Sequence, residues 1–210
     1  MWLNIIIRFK IVLVVLLLGI TPSQVSASET PSSRVIDDFH ADLLSVMKKA
    51  TVLSARERYK KLEPSLDRAF EFNFMIKLAA GSAWRKASKW EKSNLSRAFR
   101  RISIANYVYR FNGYSGQRFD TIKTTPAARK TKLVLTNIII PRKNKQPEVI
   151  KLTYVTKKFG TIWKIIDILL NGGISELSVK HSEYRTILRT GGPQILAEKL
   201  NKKADELLLD

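Results

Sequence analysis

Cysteine does not occur in the 210 residues. Disulfides, zinc–thiolate centres and thiol nucleophiles are therefore ruled out together. Histidine occurs only twice, at His40 and His181. Two isolated imidazoles give no H-E-x-x-H spacing, no metal-ligand cluster and little support for a histidine acid–base site. The nine glycines follow neither the Walker nor the dinucleotide spacing, and there is no G-x-S-x-G elbow. Acidic residues are scarce, 18 against 37 lysines and arginines, giving a net charge of +19. Such a field favours polyanions, either nucleic acid or an anionic lipid surface. Long apolar runs are also missing. The longest, residues 11–20 (IVLVVLLLGI), falls short of the ~20 residues of an ordinary membrane span.

That run has the flanks of an export signal. Arg8 and Lys10 precede it and Val25-Ser26-Ala27 follows as a small-residue cleavage site. Cleavage after Ala27 is expected, with an uncleaved anchor as the alternative. Without Arg8 and Lys10 the net charge falls from +19 to about +17. Residues 28–210 then form a single domain, long enough for a core without disulfides. Export argues against nucleic acid as the counterpart and for a membrane with acidic head groups.

Helices come first. Ser32 or Ser33 is placed to cap a helix carrying Val35, Ile36, Phe39, Leu43, Val46 and Met47 to about Ala50. His40 lies beside that stripe and reads as a surface or edge histidine. Ser54 with Glu57 has capping-box spacing for a short helix to Leu62, which Pro64 ends or restarts. Residues 72–80 favour helix and Gly81 interrupts it. Ser88 with Glu91 repeats the capping box. The helix it opens has an apolar stripe from Leu95 to Val108 and basic Arg97, Arg100, Arg101 and Arg110.

Turn signals at Asn112-Gly113 and Ser115-Gly116 introduce four strands, 117–123, 132–140, 148–158 and 161–170. Their short links predict an antiparallel meander. After Asn171-Gly172-Gly173 a helix begins near Ser178. Gly191-Gly192-Pro193 stops it, and a last amphipathic helix follows. The fold class is α+β, with N-terminal helices and a C-terminal helical pair packed on a mainly antiparallel four-stranded sheet.

The strands carry more apolar residues than one buried face needs. Leu133, Leu135 and Ile139 alternate with Val134, Ile138 and Ile140. Ile150, Leu152 and Tyr154 oppose Val149, Lys151, Thr153 and Val155. Trp163 and Ile165 lie in a strand apolar on both faces. Phe70, Met75, Trp84, Phe99, Tyr107 and Phe119 supply bulky partners. These residues form either a close-packed core or the wall of an apolar cavity. Arg100, Arg101, Arg110, Lys130, Arg142 and Lys143 are the candidate cations for the rim of such a cavity, and solvated surface charge is the plainer account of each. Asp167, between isoleucines, would be costly to bury alone. It pairs with an arginine, caps a nearby turn, or serves as acid or base beside a histidine or tyrosine in a cup of the NTF2-like kind.

Several short pieces, in order, carry a resemblance. They are R-Y-K-K-L-E-P at 58–64, M-x-x-x-A-x-G-x-x-W at 75–84 and Y-R-F-N-G-Y-S-G-Q-R-F at 109–119. W-K-I-I-D-I at 163–168, G-G-I-S-E-L at 172–177 and S-E-Y-x-x-I-L at 182–188 follow. With these the chain resembles the MlaC (toluene-tolerance) family of periplasmic phospholipid carriers, nearest its hopanoid-associated HpnM branch. The resemblance implies helices on a highly twisted sheet, with lipid tails between the layers. It implies a non-enzymatic carrier without cofactor, with a phospholipid or hopanoid-related lipid as cargo. Its implied partners are an inner-membrane ABC-type lipid transport complex and an outer-membrane lipoprotein complex. Asp167 then belongs to the fold's signature. Tyr107-Val108-Tyr109 departs from the small residues the pattern has before R-F, which bears on pocket volume there. The rival readings are an envelope adaptor binding anionic membrane or a partner through its basic face, and an enzyme using Asp167.

Overall fold

Thr30 opens the first helix, α1 (Pro31–Met47). Its hydroxyl accepts the Ser33 amide at 3.2 Å, and Ser33 Oγ accepts the Thr30 amide at 2.9 Å. The cap thus stands upstream of the expected Ser32 or Ser33, because Pro31 has no amide to satisfy and suits the first helical turn. In this computed structural model, residues 30–171 and 173–209 are described. The expected leader, residues 1–27, and Gly172 lie outside them. No helix among the described residues is long and apolar enough to cross a membrane.

The capping boxes start α2 (Ala55–Ala69) at Ser54 and α5 (Lys89–Arg110) at Ser88, as their spacing predicts. Pro64 neither ends nor restarts α2, which continues to Ala69. Leu62, Ser65, Leu66 and Ala69 are buried around it, and that packing outweighs the helix bond a proline removes. Arg58, buried on α2, donates from Nη1 to the Val108 carbonyl at 2.9 Å. It thereby caps the C-terminal end of α5, where carbonyls lack helical partners. Between them lie α3 (Phe72–Ala80) and the short α4 (Ser82–Lys86).

The sheet has five strands in the order of the chain: β1 (Arg118–Ala127), β2 (Thr131–Arg142), β3 (Lys145–Phe159), β4 (Ile162–Leu170) and β5 (Ile174–Ser175), all antiparallel. The fifth corrects the expected four. Ile174 and Ser175 fold back on Leu170 and Leu169, and two residues are too few to show a strand period. Pro126 sits in β1, at the sheet's edge, where its missing amide breaks no ladder on the open side.

A bulge explains the disordered alternation of β4. Val155 faces Asp167 and Thr156 faces Ile165, so Ile166 is the extra residue. Ile165 and Ile168 therefore both join the main core. On β2 and β3 the residues turned to the helices are Val134, Thr136, Ile138, Ile150, Leu152, Tyr154 and Thr156. Leu133 and Leu135 alternate onto the opposite face. The last helix, α6 (Glu176–Leu207), is broken at Gly192 (φ 70°, ψ −173°), just before Pro193. The break separates the two helical pieces the sequence implies. α5 packs on α6, α2 and α3, and a space is left between its C-terminal half and the sheet.

Candidate functional site

α5 offers that space Ser103, Asn106, Tyr107 and Arg110, with Phe111 next in the chain. The intervals of three, four, seven and eight residues place all five on one helical face. The sheet offers Ile138 beside its β3 partner Ile150, Leu152 beside Leu170, and Tyr154 beside Ile168. Period two on each strand, reset by the bulge in β4, brings these six to one side. Phe70, Phe72 and Met75 close the space from the α2–α3 corner. The result is a cavity of about 190 Å³.

Its walls are mostly hydrocarbon and aromatic. Ser103 satisfies its own hydroxyl by donating to the Phe99 carbonyl at 2.7 Å. At the floor, Tyr154 is hydrogen-bonded through its hydroxyl to Nε2 of His40 at 2.8 Å. His40 also stacks on Phe119, ring centroids 4.2 Å apart. This histidine is 4% exposed, which corrects the expected surface or edge position; it lies buried among the apolar residues of α1. Burial lowers its pKa to about 3, so the ring is neutral at ordinary pH. Burial likewise raises the Tyr154 and Tyr107 hydroxyls above the usual phenol range. The floor therefore carries no charge.

Charge collects at the other end. Arg110 Nη1 meets Glu176 Oε1 at 3.3 Å, joining the end of α5 to the start of α6. Lys180 borders the same mouth, one helical turn beyond Glu176. An apolar interior with ionic groups at its opening suits an amphiphile with buried tails and a wet head.

Of the residues singled out in the sequence, Phe70, Met75, Tyr107, Ile150, Leu152 and Tyr154 meet at this cavity. Phe99 and Ile165 are wholly buried in the core. Trp84 packs against the core from α4, and Phe119 lies behind the floor against His40. Trp163 lies beneath Lys132, 5.0 Å from Nζ to ring centroid. Leu133 and Leu135 are turned away from the helices by strand parity.

Among the six rim candidates, Arg110 is the one that borders the cavity. Arg100 is held between Asp67 (Nε–Oδ1 2.6 Å) and Glu63 (2.7 Å) on α2. The hydrogen bond to Asp67, above all, keeps its guanidinium more firmly protonated than usual. Arg101 donates to the Asn201 carbonyl at 3.1 Å and pairs with Asp205 on α6. These two therefore fasten helices. Arg142 pairs with Glu148, Lys143 lies in the turn between β2 and β3, and Lys130 in the turn between β1 and β2. Phe72, Phe111, Ile168 and Leu170 were not singled out as lining residues, nor were Glu176 and Lys180, and Ile138 stands in the sequence only among the alternating apolar residues of its strand. Helical spacing from Tyr107 points to Ser103 and Phe111, and the register of Ile150 points to Ile138.

Asp167 has three donors of its own. Oδ1 accepts from the amides of Ile168 at 2.8 Å and Leu177 at 3.1 Å, and Oδ2 accepts from Ser175 Oγ at 2.5 Å. The carboxylate ties β4 to β5 and to the first turn of α6, the capping role among those open to it. His181 is likewise engaged, its Nδ1 lying 2.9 Å from the Ala79 carbonyl on α3.

The family model for the MlaC protein matches residues 37–202. Among solved structures, the phospholipid-binding protein from Ralstonia solanacearum, determined in complex with a phospholipid, matches with a TM-score of 0.69. It is 16% identical over 87% of this chain and 99% of that chain, a likeness of fold. No curated protein matches the chain.

Proposed function

Because the chain belongs to the MlaC protein family, we propose that it is a periplasmic lipid-binding shuttle. It carries phospholipid, or a hopanoid-related lipid of the HpnM context, between inner- and outer-membrane transport machinery. Cleavage after Ala27 releases residues 28–210 as one lipid-binding domain into the periplasm. Its partners on this reading are an inner-membrane ABC-type complex, an outer-membrane lipoprotein complex and the anionic membrane surface.

The observation that carries the reading is the apolar cavity between α5 and the sheet, opening at Arg110, Glu176 and Lys180. Each methylene transferred from water into such a wall contributes roughly 0.8 kcal/mol. Acyl chains therefore partition between protein and bilayer without a covalent step, and the head group stays at the charged opening. Asp167, spent on three hydrogen bonds within its own corner, supports a carrier over an enzyme.

Mass spectrometry of mature protein purified without detergent, first native and then after organic extraction, tests the proposal. A stoichiometric lipid is the expected result and identifies the cargo. A bare chain that stays bare after incubation with vesicles would overturn the carrier in favour of a packed adaptor.

A further inference from the structure

The β1–β2 and β3–β4 turns lie at the same end of the sheet, since each strand runs antiparallel to the next. No aspartate or glutamate occurs between Asp120 and Glu148, nor between Glu148 and Asp167. Both turns fall within these acid-free stretches. They gather Arg129, Lys130, Lys132, Lys157, Lys158 and Lys164 at this end. Lys157 stands directly opposite Lys164, and like charges so placed destabilise a strand pair. None of the six forms an ion pair among the described residues. Lys132 lies over the Trp163 ring at 5.0 Å, Lys157 lies over the Phe74 ring at 5.2 Å, and Lys164 donates to the Asp67 carbonyl at 2.6 Å. Their partners are neutral, so the charge of this end stays uncompensated.

The β1–β2 turn carries strain as well. The Thr131 amide closes it by donating to the Ala128 carbonyl at 3.2 Å. Its two central residues, Arg129 (φ 58°) and Lys130 (φ 61°), are left-handed. That geometry ordinarily selects Asn-Gly. Two long cations are held there instead, at a cost in backbone strain, on the exposed tip of the hairpin. Apolar groups stand among the charges. Ile162 is 57% exposed. Trp163 is half-buried, and Phe74 meets Phe159 edge to face with centroids 5.6 Å apart. Asp38 and Asp42 lie beyond Ile162, in a hollow where Arg68 pairs with Asp42.

We infer that this end of the sheet is the surface by which the protein rests on an anionic bilayer. Uncompensated cations meet acidic head groups, and an indole and an exposed isoleucine between them suit the layer just beneath. Five of the six cations are lysines, which protein–protein interfaces disfavour. Ile150 borders the cavity, and Lys158 is eight residues further along β3, about 25 Å at the rise of a strand. Glu176, at the cavity's opening, follows β5 at the opposite end of the sheet. Docking by the basic end therefore leaves that opening free to meet another protein. The inference takes the anionic membrane from the carrier reading, gives it a place on the molecule, and makes no use of the cavity's contents.

The test sediments purified protein with vesicles of equimolar palmitoyl-oleoyl phosphatidylglycerol and phosphatidylcholine, and separately with phosphatidylcholine alone. Wild type should sediment with the first and not with the second. The double variant Arg129→Asn, Lys130→Gly supplies the residues the turn prefers, so it should fold at least as well as wild type. Its affinity for the anionic vesicles should fall by at least about tenfold. Lys60→Gln with Lys61→Gln removes the same charge from an exposed stretch of α2 and should lower the affinity by less than about threefold. Equal losses in the two double variants would overturn the docking surface, because net charge alone behaves that way. Unchanged affinity in the turn variant would overturn it as well. Wild type sedimenting equally with both vesicles, or with neither, would overturn the bilayer as occupant in favour of an acidic protein. Native mass spectrometry of the same proteins reads the carrier separately. Both double variants should keep the wild-type lipid content, and wild type without lipid would overturn the carrier while its sedimentation still decides the docking surface.

Discussion

His40 and Tyr154, 114 positions apart in the chain, share one buried hydrogen bond of 2.8 Å. It connects the first helix to the central strand beneath the cavity floor. Both groups are neutral there, and protonating His40 would place a positive charge among Phe39, Phe119 and Tyr154.

Stability should consequently depend on pH. The folded pKa of His40 is about 3, against an ordinary 6.5. Between these values the unfolded chain holds the extra proton, so stability is full above about 6.5 and declines as pH falls toward 3. The slope contributed by this residue approaches about 1.4 kcal/mol per pH unit within that window. Urea denaturation at pH 7, 5.5 and 4.5 should show the loss, and His40→Phe should show a shallower one. Parallel profiles for the two proteins would mean that other groups govern the slope.

Asp167→Ala should destabilise without emptying the site. It leaves the amides of Ile168 and Leu177 and the Ser175 hydroxyl without their acceptor. A loss of about 2–3 kcal/mol is expected from orphaned buried donors, measurable by urea denaturation. Lipid content after detergent-free purification should match wild type. Asp167→Asn, which keeps one acceptor oxygen, should lie between.

Arg58→Ala should cost about 2 kcal/mol, because it removes both the cap on the Val108 carbonyl and the packing of a buried aliphatic stem. Far-ultraviolet circular dichroism during thermal unfolding would report it as a lower midpoint. A midpoint within error of wild type would deny Arg58 its capping role.

Leu170→Trp should act on cargo more than on the fold. Leu170 borders the inner cavity near the end of β4. A larger ring there enters open space and avoids the strain of a filled core. Lipid occupancy by native mass should fall about tenfold or more, with a small change in unfolding midpoint. Retained occupancy would place the tails elsewhere.

Some of this architecture is legible in the sequence because local chemistry dictates it. Ser54 with Glu57 and Ser88 with Glu91 mark helix starts, since the side chains that satisfy the first amides are encoded three residues apart. The meander follows from short turns between strands. Which face of β2 turns inward is not encoded so plainly. Leu133 and Leu135 are as apolar as Val134 and Ile138, and a one-residue change of phase exchanges the two sets. The broken pattern of β4 is visible, but its cause, the extra residue Ile166, depends on the register with β3. Cations on α5 misdirect for a similar reason. Arg100 and Arg101 look like Arg110 in the sequence, yet their partners Asp67 and Asp205 come from α2 and α6. His40 reads as a marginal surface residue because its partner, Tyr154, lies far along the chain.

The strictly sequential strand order has a bearing on how the molecule assembles. Every strand finds its partner in its immediate successor, so the entropy lost in closing each connection is small. The sheet can zip up hairpin by hairpin, and the distant contacts of α1 with β4 and of α5 with α6 need close only around a surface already formed. Folding would thus have its slowest search confined to docking helices, the step that also shapes the cavity between α5 and the sheet.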